Sequence, residues 1–210
     1  MATSNIEVNL QGRVGKQGPY GLGSVSDVLR IGQTGALVVQ DGHAKYAEQV
    51  LRGNVYCAAN QAEVTFGTSL TATAVTFTLW NPLGSGKNLI LLQTGLTIRT
   101  GGTAGHIVYA ANVNPAAAIP ATNTELTVRN AKLDGAAGVA KAYSATTLPA
   151  APVAIRTLAT VITAAGVGSL VDYVDGAIVL GPNTAVTVQG ITVVGTGIIS
   201  MVWEEVDIPT

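Results

Sequence analysis

Val75-Thr76-Phe77-Thr78-Leu79-Trp80 alternates apolar and polar side chains along its first five positions, and Pro82, Gly84 and Gly86 close the run. Alternation with a period of two places Val75, Phe77 and Leu79 on one face and Thr76, Thr78 and Trp80 on the other, the pattern of a half-buried strand. The proline lacks the N–H that a ladder needs, and the glycines favour a turn, so the strand has a defined end. The same signal continues in both directions. Upstream, Leu51, Val55 and Cys57 alternate against Arg52, Asn54 and Tyr56, and Val64 and Phe66 point together in a short strand ending at Gly67. Downstream, Asn88–Arg99 is long and β-rich, with Leu89 and Leu91 expected on one face, Ile90, Leu92, Leu96 and Ile98 on the other, and Gly95 as a candidate bulge.

Further strands are expected at His106–Ala111, Glu125–Arg129, Val153–Val161, Ala177–Leu180, Ala185–Gln189 and Ile198–Val206. Turn signals separate them: Gly101-Gly102, Asn114-Pro115, Asp134-Gly135, Pro149, Asp175-Gly176 and Gly181-Pro182-Asn183. The alanine-rich stretches Ala116–Ala121 and Ala136–Ala142 are too short and too closely bounded by Gly or Pro to form stable helices. Ser144–Ile155, broken by Pro149 and Pro152, reads as a loop leading into a strand. About ten short strands at this spacing predict an all-β, jelly-roll-like antiparallel β-sandwich.

The body of that sandwich is expected over residues 50–210, with residues 1–49 forming an extended N-terminal arm and a short strand-loop segment. Gly12, Gly15, Gly18, Pro19, Gly21 and Gly23 exclude long regular elements before Ser24. Within the arm, Ile6, Val8 and Leu10 share one side of an alternating stretch, suited to a short strand or to ordering against a neighbour. In the last strand Ile199, Met201 and Trp203 share one face, with Val202 and Val206 opposite. Two apolar faces mean either a central strand or one face in the core and one against a subunit. Ile6, Val8, Leu10, Trp203 and Glu205 are therefore the interface candidates, with core burial the alternative for Trp203.

Composition narrows the function. Charged residues make up 11% of the 210, against about a quarter in ordinary soluble domains. So neutral a surface suits a chain that meets copies of itself, or one kept soluble by Thr and Asn. The net charge of −1 comes from 11 basic and 12 acidic residues, with the basic ones scattered singly, so direct nucleic-acid binding is not expected. No long uncharged apolar helix-forming run and no hydrophobic leader are evident, so no membrane role is expected. Cys57 is the single cysteine, which excludes an intramolecular disulfide, and Val55-Tyr56-Cys57-Ala58 reads as strand.

No catalytic, cofactor-binding or metal residue is assigned. Gly84-Ser85-Gly86-Lys87 superficially resembles a phosphate loop, but Asn81 and Asn88 stand where the pattern needs Gly and Ser or Thr, and no helix follows. His43 and His106 lie far apart with no zinc-ligand spacing. Asp172 and Asp175, with Glu204, Glu205 and Asp207, could meet around Ca²⁺, but no EF-hand loop is present and solvated loop and edge charges are the stronger explanation. Tyr46, Tyr56, Trp80, Tyr109, Tyr143, Tyr173 and Trp203 could supply a sugar platform, which makes carbohydrate binding the rival class.

Five stretches carry a family resemblance. They are Arg30-Ile31-Gly32-Gln33-Thr34-Gly35-Ala36-Leu37, Gly42-His43-Ala44-Lys45-Tyr46-Ala47-Glu48, Arg52-Gly53-Asn54-Val55-Tyr56, Asn81–Asn88 and the closing Trp203-Glu204-Glu205. Together they resemble structural proteins of tailed-bacteriophage virions, especially jelly-roll capsid cement or decoration proteins. The resemblance implies a homo-oligomer, often a trimer, bound to the major capsid protein or another virion protein at the capsid surface and assembled in a bacterial cytoplasm. Related jelly rolls serve as tail, head-fibre or receptor-binding parts, so that role is the alternative.

Overall fold

A computed structural model describes residues 44–112, 124–161 and 168–208. Among the described residues a single short helix, α1 (Ala47–Leu51), precedes thirteen strands. They are β1 (Val55–Ala59), β2 (Val64–Phe66), β3 (Phe77–Asn81), β4 (Lys87–Thr103), β5 (Gly105–Asn112), β6 (Thr124–Leu126), β7 (Arg129–Asn130), β8 (Lys141–Ser144), β9 (Val153–Val161), β10 (Gly168–Tyr173), β11 (Val179–Leu180), β12 (Thr184–Ile191) and β13 (Val194–Asp207). Sheet I runs β10-β4-β13-β1-β7, with β11 also on β4 and β2 on β13; sheet II runs β6-β8-β3-β12-β5-β9. The pairings are antiparallel, and the chain is an all-β sandwich.

The core lies between the sheets. Leu89, Leu91, Leu96, Ile199, Met201 and Trp203 of sheet I meet Phe77, Leu79, Ile107, Tyr109, Val186 and Val188 of sheet II. Buried amide geometry reinforces the seam: Asn81 donates to the carbonyls of Lys87 (2.8 Å) and Leu180 (2.9 Å), tying β3 to the start of β4 and to β11.

Two details depart from sequence expectation. The irregularities in β4 fall at Leu92, Arg99 and Gly102, not Gly95: at the first, Trp203 pairs with Leu91 while Val202 pairs with Gln93, and Gly95 pairs regularly with Ser200. One extra residue shifts the phase of alternation, so Leu96 joins Leu89 and Leu91 in the core and Ile98 packs against them, contrary to the expected division of faces. Second, the threonine face of β3 is covered as well. Thr78, Thr187 and Gln189 are buried. Segments 71–75 and 146–150 overlie that side: Gln189 exchanges hydrogen bonds with the backbone of Thr71, Val75 bridges Thr146, and Leu148 donates to Ala72. Gln189 and Thr187 bond backbone groups of Thr71 and Ala110, whereas the buried Thr78 hydroxyl has no hydrogen-bond partner among the described residues.

Strands β8 and β10 and helix α1 were not expected from sequence. The helix crosses the residue 49/50 boundary, and Lys45 and Tyr46 before it bond Asp175 near the end of β10. Residues 1–43 lie outside the described residues.

Candidate assembly surface

A β-sheet edge presents unpaired N–H and C=O groups, and proteins usually blunt it with short strands, bulges or charge. Among the described residues most edges are blunted, and the off-path strands β2 and β11 are only three and two residues long. Strands β6 and β7 are three and two residues long. Strand β9 has nine residues but carries two bulges: Ala159 and Thr157 pair with consecutive residues of β5, leaving Leu158 extra, and Arg156 and Ala154 do the same around Ile155.

Strand β10 differs. Its six residues pair with β4 in unbroken register, Gly168 with Ile98 through Tyr173 with Gln93. It contains no Pro, Lys or Arg. Leu170 and Asp172 pair with the buried Leu96 and Thr94 and so share the inner face; Val171 and Tyr173 pair with Gly95 and Gln93 on the outer face. Leu170 is 39% exposed, Val171 46% and Tyr173 63%. Val179 on β11 and Val153 and Ile155 on β9 are also exposed. The exposures of these six side chains sum to on the order of 500 Å², with Leu170, Val171 and Tyr173 gathered on β10 itself.

The single charge on β10 is turned inward and neutralised. Arg156 on β9 donates to Asp172 at 2.9 Å, and the Tyr109 hydroxyl on β5 donates to its other oxygen at 2.9 Å. This network links β10 of sheet I to β9 and β5 of sheet II and brings the two long edge strands to one side of the sandwich. Burial, aided by the Asp172 carboxylate, pushes the Tyr109 phenol well above its ordinary pKa, so it remains a donor at any physiological pH. Just beyond β10, Asp175 bonds Lys45 and the Tyr46 hydroxyl.

The interface candidates fall differently. Trp203 has 0% exposure, stacks on Tyr56 with ring centroids 6.4 Å apart, and donates its indole N–H to Glu205 at 3.4 Å. Glu205 is 4% exposed and accepts from the backbone N–H groups of Val139 (2.9 Å) and Ala140 (3.0 Å). A Cβ on Gly138 would lie 2.5 Å from the same carboxylate. Side chains enclosed by their own chain offer nothing to a partner, so the interface reading of Trp203 and Glu205 is corrected: Trp203 is core, and Glu205 clasps the 138–140 backbone. Ile6, Val8 and Leu10 lie outside the described residues.

The remaining candidates are dispersed. Lys87 pairs with Asp207 at 2.7 Å in the Gly84–Gly86 turn between β3 and β4. His106 is exposed, with Nδ1 3.2 Å from the Thr160 hydroxyl; His43 lies outside the described residues. Cys57 is partly buried on β1, where burial raises its thiol pKa. Among the described residues no three His, Cys, Asp or Glu side chains gather as a metal site. A shallow depression of about 400 Å³ between β6 and the 137–141 segment is lined by the Lys141–Glu125 ion pair and small or apolar neighbours. Tyr56, Tyr109, Tyr143 and Trp203 are buried, which removes four of the seven aromatics from any sugar platform.

Sequence reasoning missed β10 because Gly168-Ser169-Leu170-Val171-Asp172-Tyr173 lacks clean alternation. The available signal was a Leu-Val-x-Tyr cluster ending at the Asp175-Gly176 turn. No protein-family model, curated protein or solved structure matches the chain.

Proposed function

We propose that this chain is a non-enzymatic structural protein that works by lateral assembly, serving as a capsid cement or decoration protein of a tailed-bacteriophage virion and stabilising contacts between major capsid subunits. The observation that carries the assembly reading is the β10 edge: regular, apolar, free of cationic guards, and set on a chain with few charges. The phage assignment extends the resemblance carried by Arg30–Asn88 and Trp203-Glu204-Glu205. In this role the sandwich is a rigid body, and symmetry multiplies modest contacts into firm retention.

The test adds purified full-length chain to phage heads that lack it. Saturable binding at a ratio set by the capsomer lattice, with a higher temperature of head rupture, is the expected result. Failure to sediment with the heads rejects the shell assignment. Specific binding on a glycan array would instead move the chain to a fibre or receptor-recognition role.

A further inference from the structure

We propose that two copies of this chain join through their β10 strands, antiparallel across a two-fold axis, so that sheet I continues from one subunit into the other. The inference deepens the assembly reading by naming the occupant of the β10 edge as a second copy.

Three observations argue for it. First, among the described residues β10 is the long edge strand with an unbroken register, whereas β9 carries two bulges. A regular backbone is what a second strand needs for a continuous ladder. Second, the edge is compatible with itself. A two-fold contact sets each residue against its own kind or a near neighbour, so any free charge would repel its copy. Asp172 is the one charge on β10, and Arg156 and Tyr109 already hold both its oxygens, so a docking strand covers a neutralised pair. Third, β10 leaves Leu170, Val171 and Tyr173 exposed at 39%, 46% and 63%, apolar surface on both of its faces that a second strand beside it would cover.

The face assignment restricts the register. Residues directly opposite in an antiparallel ladder lie on the same face, so the axis passes through a residue position. Placing it at Val171 sets Val171 against its own copy and Tyr173 against Ser169 of the partner subunit on the outer face. Leu170 then faces Asp172 of the partner subunit on the inner face, and the two Asp172 side chains stay apart.

Sedimentation velocity on the full chain at micromolar to tens-of-micromolar concentration should show a monomer–dimer equilibrium. Val171→Lys places two ammonium groups at the axis and should raise the dimer dissociation constant at least tenfold while leaving the circular dichroism spectrum unchanged. Leu133→Lys, at an exposed site elsewhere, should leave the equilibrium as it was. In a Cys57→Ser background, Val171→Cys should form a disulfide-linked dimer on mild oxidation much faster than Tyr173→Cys, because only residue 171 meets its copy. The cysteine pair decides the matter if Val171→Lys fails to fold. A wild-type chain monomeric throughout, a trimer indifferent to Val171→Lys, or equal cross-linking at 171 and 173 overturns the proposal. Dimerisation through β10 without binding to heads would keep this inference and remove the shell assignment.

Discussion

Replacing Glu205 by Ala removes the acceptor shared by three donors: the Val139 and Ala140 backbone N–H groups and the Trp203 indole. The carboxylate is 4% exposed, and its partners are N–H dipoles rather than a cation. Each buried donor left without a partner costs about 1–3 kcal/mol. The indole bond is long at 3.4 Å and contributes least. Some cost returns when the 138–140 backbone moves out to water, so the expected loss is about 3–4 kcal/mol, a large share of a typical 5–15 kcal/mol stability. Glu205→Gln keeps one acceptor oxygen but turns an NH₂ toward backbone donors, and should lose about 1–2 kcal/mol. Urea unfolding followed by tryptophan fluorescence and circular dichroism gives both values, provided the slope against denaturant is unchanged. Hydrogen exchange should accelerate at Val139 and Ala140 before it does in β12. A loss below about 1 kcal/mol for Glu205→Ala, with exchange unchanged at those amides, would refute the clasp.

Two further outcomes follow from the same geometry. The Tyr109 pKa is raised in the folded chain, so its contribution is complete below the unfolded value near 10 and is lost as pH climbs toward the folded one; Tyr56 and Tyr143 shift in the same direction. Between pH 9 and pH 11 the urea midpoint of wild type should therefore fall more steeply than that of Tyr109→Phe, and equal slopes would count against the buried phenol. Gly197→Ala puts a Cβ 1.9 Å from the Thr97 carbonyl oxygen, backbone against backbone across the β4–β13 pair. A loss exceeding about 3 kcal/mol or insoluble expression is expected, and a soluble variant melting within a few degrees of wild type contradicts that contact.

Much of the sandwich was legible because its strands obey local rules. Phe77 and Leu79 alternate as a core face must, and Ile199, Met201 and Trp203 do the same in β13. What failed were judgements depending on a neighbour. The phase of Leu96 turned on a bulge opposite Val202 and Trp203, and the cover over Gln189 came from Thr71, 118 positions away. The Glu205 clasp joins residues more than sixty positions apart, so no local pattern announces it.

The sequence by itself determined the all-β class and low charge density, because alternation and composition are properties of the chain read locally. Only the tertiary structure decided that Trp203 and Glu205 are enclosed and that β10 is, among the described residues, the regular edge with no strand beyond it. The physical reason is that burial and edge position belong to pairs of elements: the same Trp is an anchor or a core side chain according to which strands close over it, and a strand is an edge only when nothing pairs beyond it.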